Sequence, residues 1–129
     1  MTVFSSLHHL GIATADIEET VIWLKDNFEV TEVGNKIFDQ LQNAYLCMVK
    51  LDDGTKIELI SGDIVQKFVS RNVLLYHSCW LTDNINSAVE ELKKQGAFPV
   101  SKPKPAILFN GRMVCFMQTK IGLVELLEK

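Results

Sequence analysis

The chain repeats itself at a shift of 68 residues, and this repeat restricts its fold more than any other feature. Leu7-His8-His9-Leu10-Gly11-Ile12-Ala13-Thr14 aligns with Leu75-Tyr76-His77-Ser78-Cys79-Trp80-Leu81-Thr82, placing His9 on His77 and Thr14 on Thr82. Ile17, Val21, Leu24 and Lys25 then fall on Ile85, Val89, Leu92 and Lys93. The ends also match. Lys56-Ile57-Glu58-Leu59-Ile60 resembles Leu123-Val124-Glu125-Leu126-Leu127, with one residue of slippage. Each half opens on a histidine segment and closes on an apolar segment holding one glutamate. The glutamate follows its histidine by 49 residues in the first half and 48 in the second. Self-similarity of this kind marks a duplicated unit. A chain of 129 residues suits one ordinary domain. That domain is expected to span 1–129, with module one at about 1–62, a linker helix at 63–71 and module two at about 72–129.

The local patterns agree between the halves. Segment 7–14 reads as a buried strand. Asp16 reads as a helix N-cap, and Glu19 three residues on completes a capping-box pattern. Ile17, Val21 and Leu24 form a helical apolar stripe ending near Phe28. Strands are expected around 29–33, 43–51 and 55–61, the last two joined by the turn Asp52-Asp53-Gly54. The linker helix should turn Ile64, Phe68 and Val69 inward. In the second half, 73–81 reads as a strand and 84–95 as a helix, with Asn84 or Thr82 as cap and Gly96 as stop. Short strands follow near 97–101, 112–118 and 122–127. Lys102-Pro103-Lys104-Pro105 and Asn110-Gly111 read as loop and turn. The pattern is βαβββ written twice, an α+β fold.

Charge and cysteine content exclude several classes. A net charge of −3, from 13 basic and 16 acidic residues, leaves no polybasic footprint for nucleic acid or an anionic membrane. No apolar run approaches a membrane span. The start, Met1 to Ser6, lacks the basic and apolar stretches of a signal peptide, so the cytoplasm is the expected location. Cys47, Cys79 and Cys115 show no paired spacing and read as buried reduced thiols. Trp23 and Trp80 read as packing between layers. Lys67, Lys102, Lys104 and Arg112 read as solvated surface charges, and Phe109-Asn110-Gly111-Arg112 reads equally as a mobile loop or as an ordinary hairpin connection.

Four residues do not fit a bland core. His9 shares a strand face with Gly11 and Ala13, and His77 shares one with Cys79 and Leu81. Glu58 and Glu125 each lie between apolar neighbours, where an unpaired buried carboxylate would be costly. Any one of them alone is ordinary. Recurring at equivalent places in both halves, two imidazoles and two carboxylates suit a divalent first-row metal ion (Zn, Co, Ni, Mn or Fe) with positions left for substrate. His8 aligns with Tyr76 and points to the other face, so it reads as structural.

The segments His9-Leu10-Gly11-Ile12-Ala13, Tyr76 to Ile85 and Gly122-Leu123-Val124-Glu125-Leu126 resemble the vicinal oxygen chelate superfamily over essentially the whole chain. That family includes glyoxalase I, methylmalonyl-CoA epimerase, extradiol dioxygenases and bleomycin-resistance proteins. The resemblance implies paired βαβββ modules forming a U-shaped mixed sheet around a metal cleft. It implies His9, Glu58, His77 and Glu125 as metal ligands, and Glu58 and Glu125 as catalytic groups. Extradiol dioxygenases usually keep three ligands, and bleomycin-resistance proteins lack the full set, so four candidates point elsewhere. The first helix lacks the Phe-Tyr and Leu-Gly pattern common in glyoxalase I. The second half, with Asp83-Asn84-Ile85 and Ala88-Val89-Glu90-Glu91-Leu92, is similar to methylmalonyl-CoA epimerase. The implied activity is a metal-dependent epimerase or isomerase that stabilises the enolate of a carbonyl or acyl-CoA substrate. The alternatives are a glyoxalase I-like lactoylglutathione lyase, or a non-catalytic small-molecule-binding or resistance module. A homodimer and a small-molecule substrate are the expected partners. Epimerases commonly place glutamine where Glu58 stands, and some use a glutamate on a middle strand as proton carrier. Strand 43–50 has no carboxylate here, so a ligand glutamate, Tyr45, Cys47 or a metal-bound water would have to serve.

Overall fold

Ten strands and three α-helices make up the computed structural model, which describes residues 2–129. Met1, the first residue of the leader reading, lies outside the described residues. No helix among the described residues is long and apolar enough to cross a membrane. The elements are β1 (Leu7–Ala13), α1 (Ile17–Asn27), β2 (Val30–Val33), β3 (Ile37–Asp39), β4 (Ala44–Leu51), β5 (Lys56–Ser61), α2 (Gln66–Ser70), β6 (Leu75–Thr82), α3 (Ile85–Lys94), β7 (Phe98–Pro99), β8 (Lys104–Pro105), β9 (Met113–Thr119) and β10 (Gly122–Glu128). The α+β class and the duplication read from the sequence hold, and each unit adds one short strand, β3 or β8, to the expected βαβββ order. Two compact units carry them: His9–Tyr76, and His77–Lys129 with the residues up to His8.

In the unit His9–Tyr76 the strand order is β2-β4-β5-β1, with β3 also paired to β4. β5 runs parallel to β1, with Gly11 opposite Glu58. β4 runs antiparallel to β5, with Met48 opposite Glu58. One sheet face packs on α1. Ile17 and Leu24 meet Cys47, Val49, Leu51, Ile57 and Leu59 in a buried cluster. The helix starts where its orphan N–H groups find acceptors. The Asp16 carboxylate accepts the Glu19 N–H at 3.0 Å. The reciprocal half of the capping box is replaced, because the Asp16 N–H goes to the Thr14 hydroxyl at 3.1 Å. At Gly54 the backbone has φ +91°, which closes the β4–β5 turn where Asp52-Asp53-Gly54 was expected.

The other unit orders its strands β6-β10-β9-β7, with β8 also paired to β9. β10 is parallel to β6, with Glu125 opposite Cys79, and antiparallel to β9, with Glu125 opposite Phe116. Ile85, Ala88, Val89 and Leu92 of α3 bury against Cys115, Met117 and Leu126. Asn84 is the N-cap, accepting the Ser87 N–H at 2.9 Å, while the Thr82 hydroxyl donates to the Val3 carbonyl. Residues 3–6 run beside β6: Ser5 N–H bonds the Leu81 carbonyl, and Leu81 N–H bonds that of Ser6, both at 2.9 Å.

Four expectations need correction. The linker region is a 3₁₀ turn, Asp63–Val65, followed by α2. Val65 is the fully buried residue there and Ile64 is exposed, since the tighter turn rotates the inward position by one. Trp23 is 57% exposed and leans on Phe28 at 6.2 Å, so it is not packing between layers. It lies off the Ile17/Val21/Leu24 stripe, and the helical period turns it outward. Lys104–Pro105, expected as loop, forms two residues of β8 on β9, a position at a sheet edge where proline is tolerated.

Candidate metal and catalytic site

The two candidate histidines and two candidate glutamates form two short pairs, one in each compact unit. His9 Nε2 lies 3.5 Å from Glu58 Oε1, and His77 Nε2 lies 3.1 Å from Glu125 Oε1. All four residues are buried, between 1% and 4% exposed. Strand alternation explains the placement. Ile57 and Leu59 face α1, so Glu58 faces the opposite side of the sheet with Gly11 and His9. Leu126 faces α3, so Glu125 shares the opposite side with Cys79 and His77. In each unit a small residue, Gly11 or Cys79, stands directly across from the glutamate. Its size leaves room for the diagonal contact with the histidine two residues earlier.

The donor set and spacing fit a divalent ion. Bonds of about 2.0–2.2 Å to nitrogen and oxygen place neighbouring ligand atoms about 3–3.5 Å apart in tetrahedral or octahedral geometry. Both His–Glu separations fall in that range. A buried carboxylate also demands compensation by a partner charge or metal. Each glutamate has its histidine at that spacing.

Met48 and Phe116 also reach this face, and the sequence reading overlooked them. Each stands directly opposite its unit's glutamate, on the antiparallel neighbour strand. The Phe116 ring meets His77 edge-on, with centroids 5.1 Å apart. The signal was present, because the shift of 68 that relates His9 to His77 also carries Met48 onto Phe116 and Cys47 onto Cys115. Tyr45 and Cys47 lie on the other face of β4. Cys47 is in the α1 core cluster, and Tyr45 packs on Phe38 with Lys36 over its ring. Neither belongs to the face that carries His9 and Glu58. His8 packs edge-on to Phe109 at 5.1 Å, in keeping with a structural role. Arg112 donates from Nε to the Glu128 carbonyl at 3.0 Å.

A match to the family described as the glyoxalase/bleomycin resistance protein/dioxygenase superfamily covers residues 8–116. The chain belongs to this superfamily. Within it, an ethylmalonyl-CoA/methylmalonyl-CoA epimerase of Cereibacter sphaeroides is 27% identical over 120 residues, 88% of each chain. The methylmalonyl-CoA epimerase of Mycobacterium tuberculosis matches in structure with a TM-score of 0.84 at 18% identity, covering 98% of this chain and 89% of that one. A selenomethionine methylmalonyl-CoA epimerase structure matches with a TM-score of 0.76 at 20% identity, covering 99% and 97%. These structures share the superfamily fold with this chain.

Proposed function

We propose that this superfamily member is a metal-dependent epimerase or isomerase acting on a carbonyl or acyl-CoA substrate of the methylmalonyl-CoA kind. The observation that carries the reading is the duplicated, buried His–Glu pair at ligand spacing. The epimerase relative at 27% identity over most of both chains supports the choice of reaction. In this reading His9, Glu58, His77 and Glu125 are the protein ligands for a divalent first-row ion. The ion supplies Lewis-acid stabilisation of the charge that builds on a carbonyl oxygen as the neighbouring C–H ionises.

The chain itself must move the proton. Epimerisation removes a proton from one face of the carbon and returns one to the other, so it calls for two bases. Glu58 and Glu125, one from each pair, take these roles, each at a carboxylate oxygen. Met48 and Phe116 provide apolar walls opposite those carboxylates and limit water there. The remaining parts of the reading are a cytoplasmic location and a homodimer, the latter tested by sedimentation.

Two measurements test the proposal. Purified protein is expected to carry a divalent ion and His77→Ala to lose metal; equal, negligible metal in both overturns the metal site. With Co(II) or Ni(II), the protein is expected to exchange the α-proton of methylmalonyl-CoA in D2O. Glu58→Gln and Glu125→Gln should each slow exchange by roughly 10²–10⁴-fold, the usual contribution of a general base. Substrate binding without exchange under any metal would favour the binding-module alternative.

A further inference from the structure

One pleat step along the strands from the Met48–Glu58 pair, Lys50 stands directly opposite Lys56. Alternation puts both side chains on the face that carries Glu58 and His9. Leu10 pairs with Ile57, so Lys56 lies in the same row as His9. Both lysines are half-buried. No ion pair joins either of them to a carboxylate among the described residues, although the exposed Glu32 stands opposite Lys50 on β2.

Like charges directly opposite each other weaken a sheet. The duplicated fold shows that the position does not require them. The equivalent row of the other unit is Leu123 opposite Gln118, with Phe98 beyond, all uncharged. One copy of the architecture therefore accumulates two unpaired cations where the other uses neutral residues. Their place, about 7 Å along the strand from Glu58, suits an anionic group a few bonds from a reacting carbon.

We infer that Lys50 and Lys56 form an oxyanion-binding subsite that anchors a carboxylate or phosphate of the substrate beside His9 and Glu58. Paired ammonium groups supply charge-assisted hydrogen bonds to such a group. The inference rests on reading the His9–Glu58 face as the substrate face, and it specifies that the substrate is an anion.

The test is calorimetric titration, at low salt, of wild type, Lys50→Met, Lys56→Met and the double variant with malonate and with coenzyme A. At least one probe should bind wild type and lose tenfold or more in the double variant. The probe that does so identifies the source as carboxylate or phosphate. Affinities within twofold of wild type for both probes, or no binding of either, overturn the inference. Thermal melting provides the control. Relief of repulsion should leave the double variant's midpoint unchanged or raised, and a lower midpoint would assign the lysines a structural role instead. The two readings fail separately. Lysine-dependent binding without proton exchange defeats only the epimerase, and exchange with unchanged binding defeats only the subsite.

Discussion

Cys47 and Cys115 occupy matching places in the two repeats. Each thiol donates to a backbone carbonyl, that of Gly34 at 3.4 Å and that of Ser101 at 3.2 Å. Burial pushes both thiols above their ordinary pKa range. The neutral form is favoured in the folded state, so the stability they contribute is intact below that range. It is lost as pH rises through the range. Neither should react with a thiol reagent at pH 8 until denaturant is added, and rapid labelling of the native protein would contradict this. The repeat made His9, Glu58, His77 and Glu125 legible in the sequence because chemically distinctive residues recurred. Met48 and Phe116 escaped because a methionine and a phenylalanine share no obvious chemistry, and only their register against the glutamates gives them meaning.

At the level of elements, the helices were the most legible because their signals are local. Asp16 and Asn84 cap α1 and α3 through the N–H groups of Glu19 and Ser87. Asp16→Ala is expected to lower stability by about 1 kcal/mol, the typical value of an N-cap, measured by chemical denaturation. A change near zero would mean that Thr14 and solvent satisfy the helix start. α3 has a second support, since the Glu128 carboxylate accepts the Ile85 N–H at 2.9 Å. Because that acceptor lies 43 residues away, no local pattern announces it. β3 and β8 were invisible for a different reason. Three and two residues are too few to show an alternation of period two, and both exist because β4 and β9 offer a free edge. An extra strand at the same stage of each unit shows that the duplication runs deeper than sequence identity.

Across the whole molecule, each first strand lies parallel to the last strand of its own repeat, β1 with β5 and β6 with β10. Parallel neighbours need a long crossover, which is why the histidine and glutamate of each pair are so far apart in sequence. If the His–Glu pairs hold metal, a strong chelator should lower the melting temperature as well as abolish the proposed activity. The shift should reverse on adding Co(II) or Ni(II), and an unchanged midpoint would dissociate the metal from the fold. The parallel pairing also has a kinetic consequence. Closing a loop of roughly fifty residues costs on the order of 3 kcal/mol of chain entropy. Nothing nearer in sequence can substitute for that closure, so folding is governed by rare long-range encounters and not by the early helices. Each His–Glu pair then acts as a clasp fastened late, and an ion held by a pair would act chiefly by slowing the reopening of its loop.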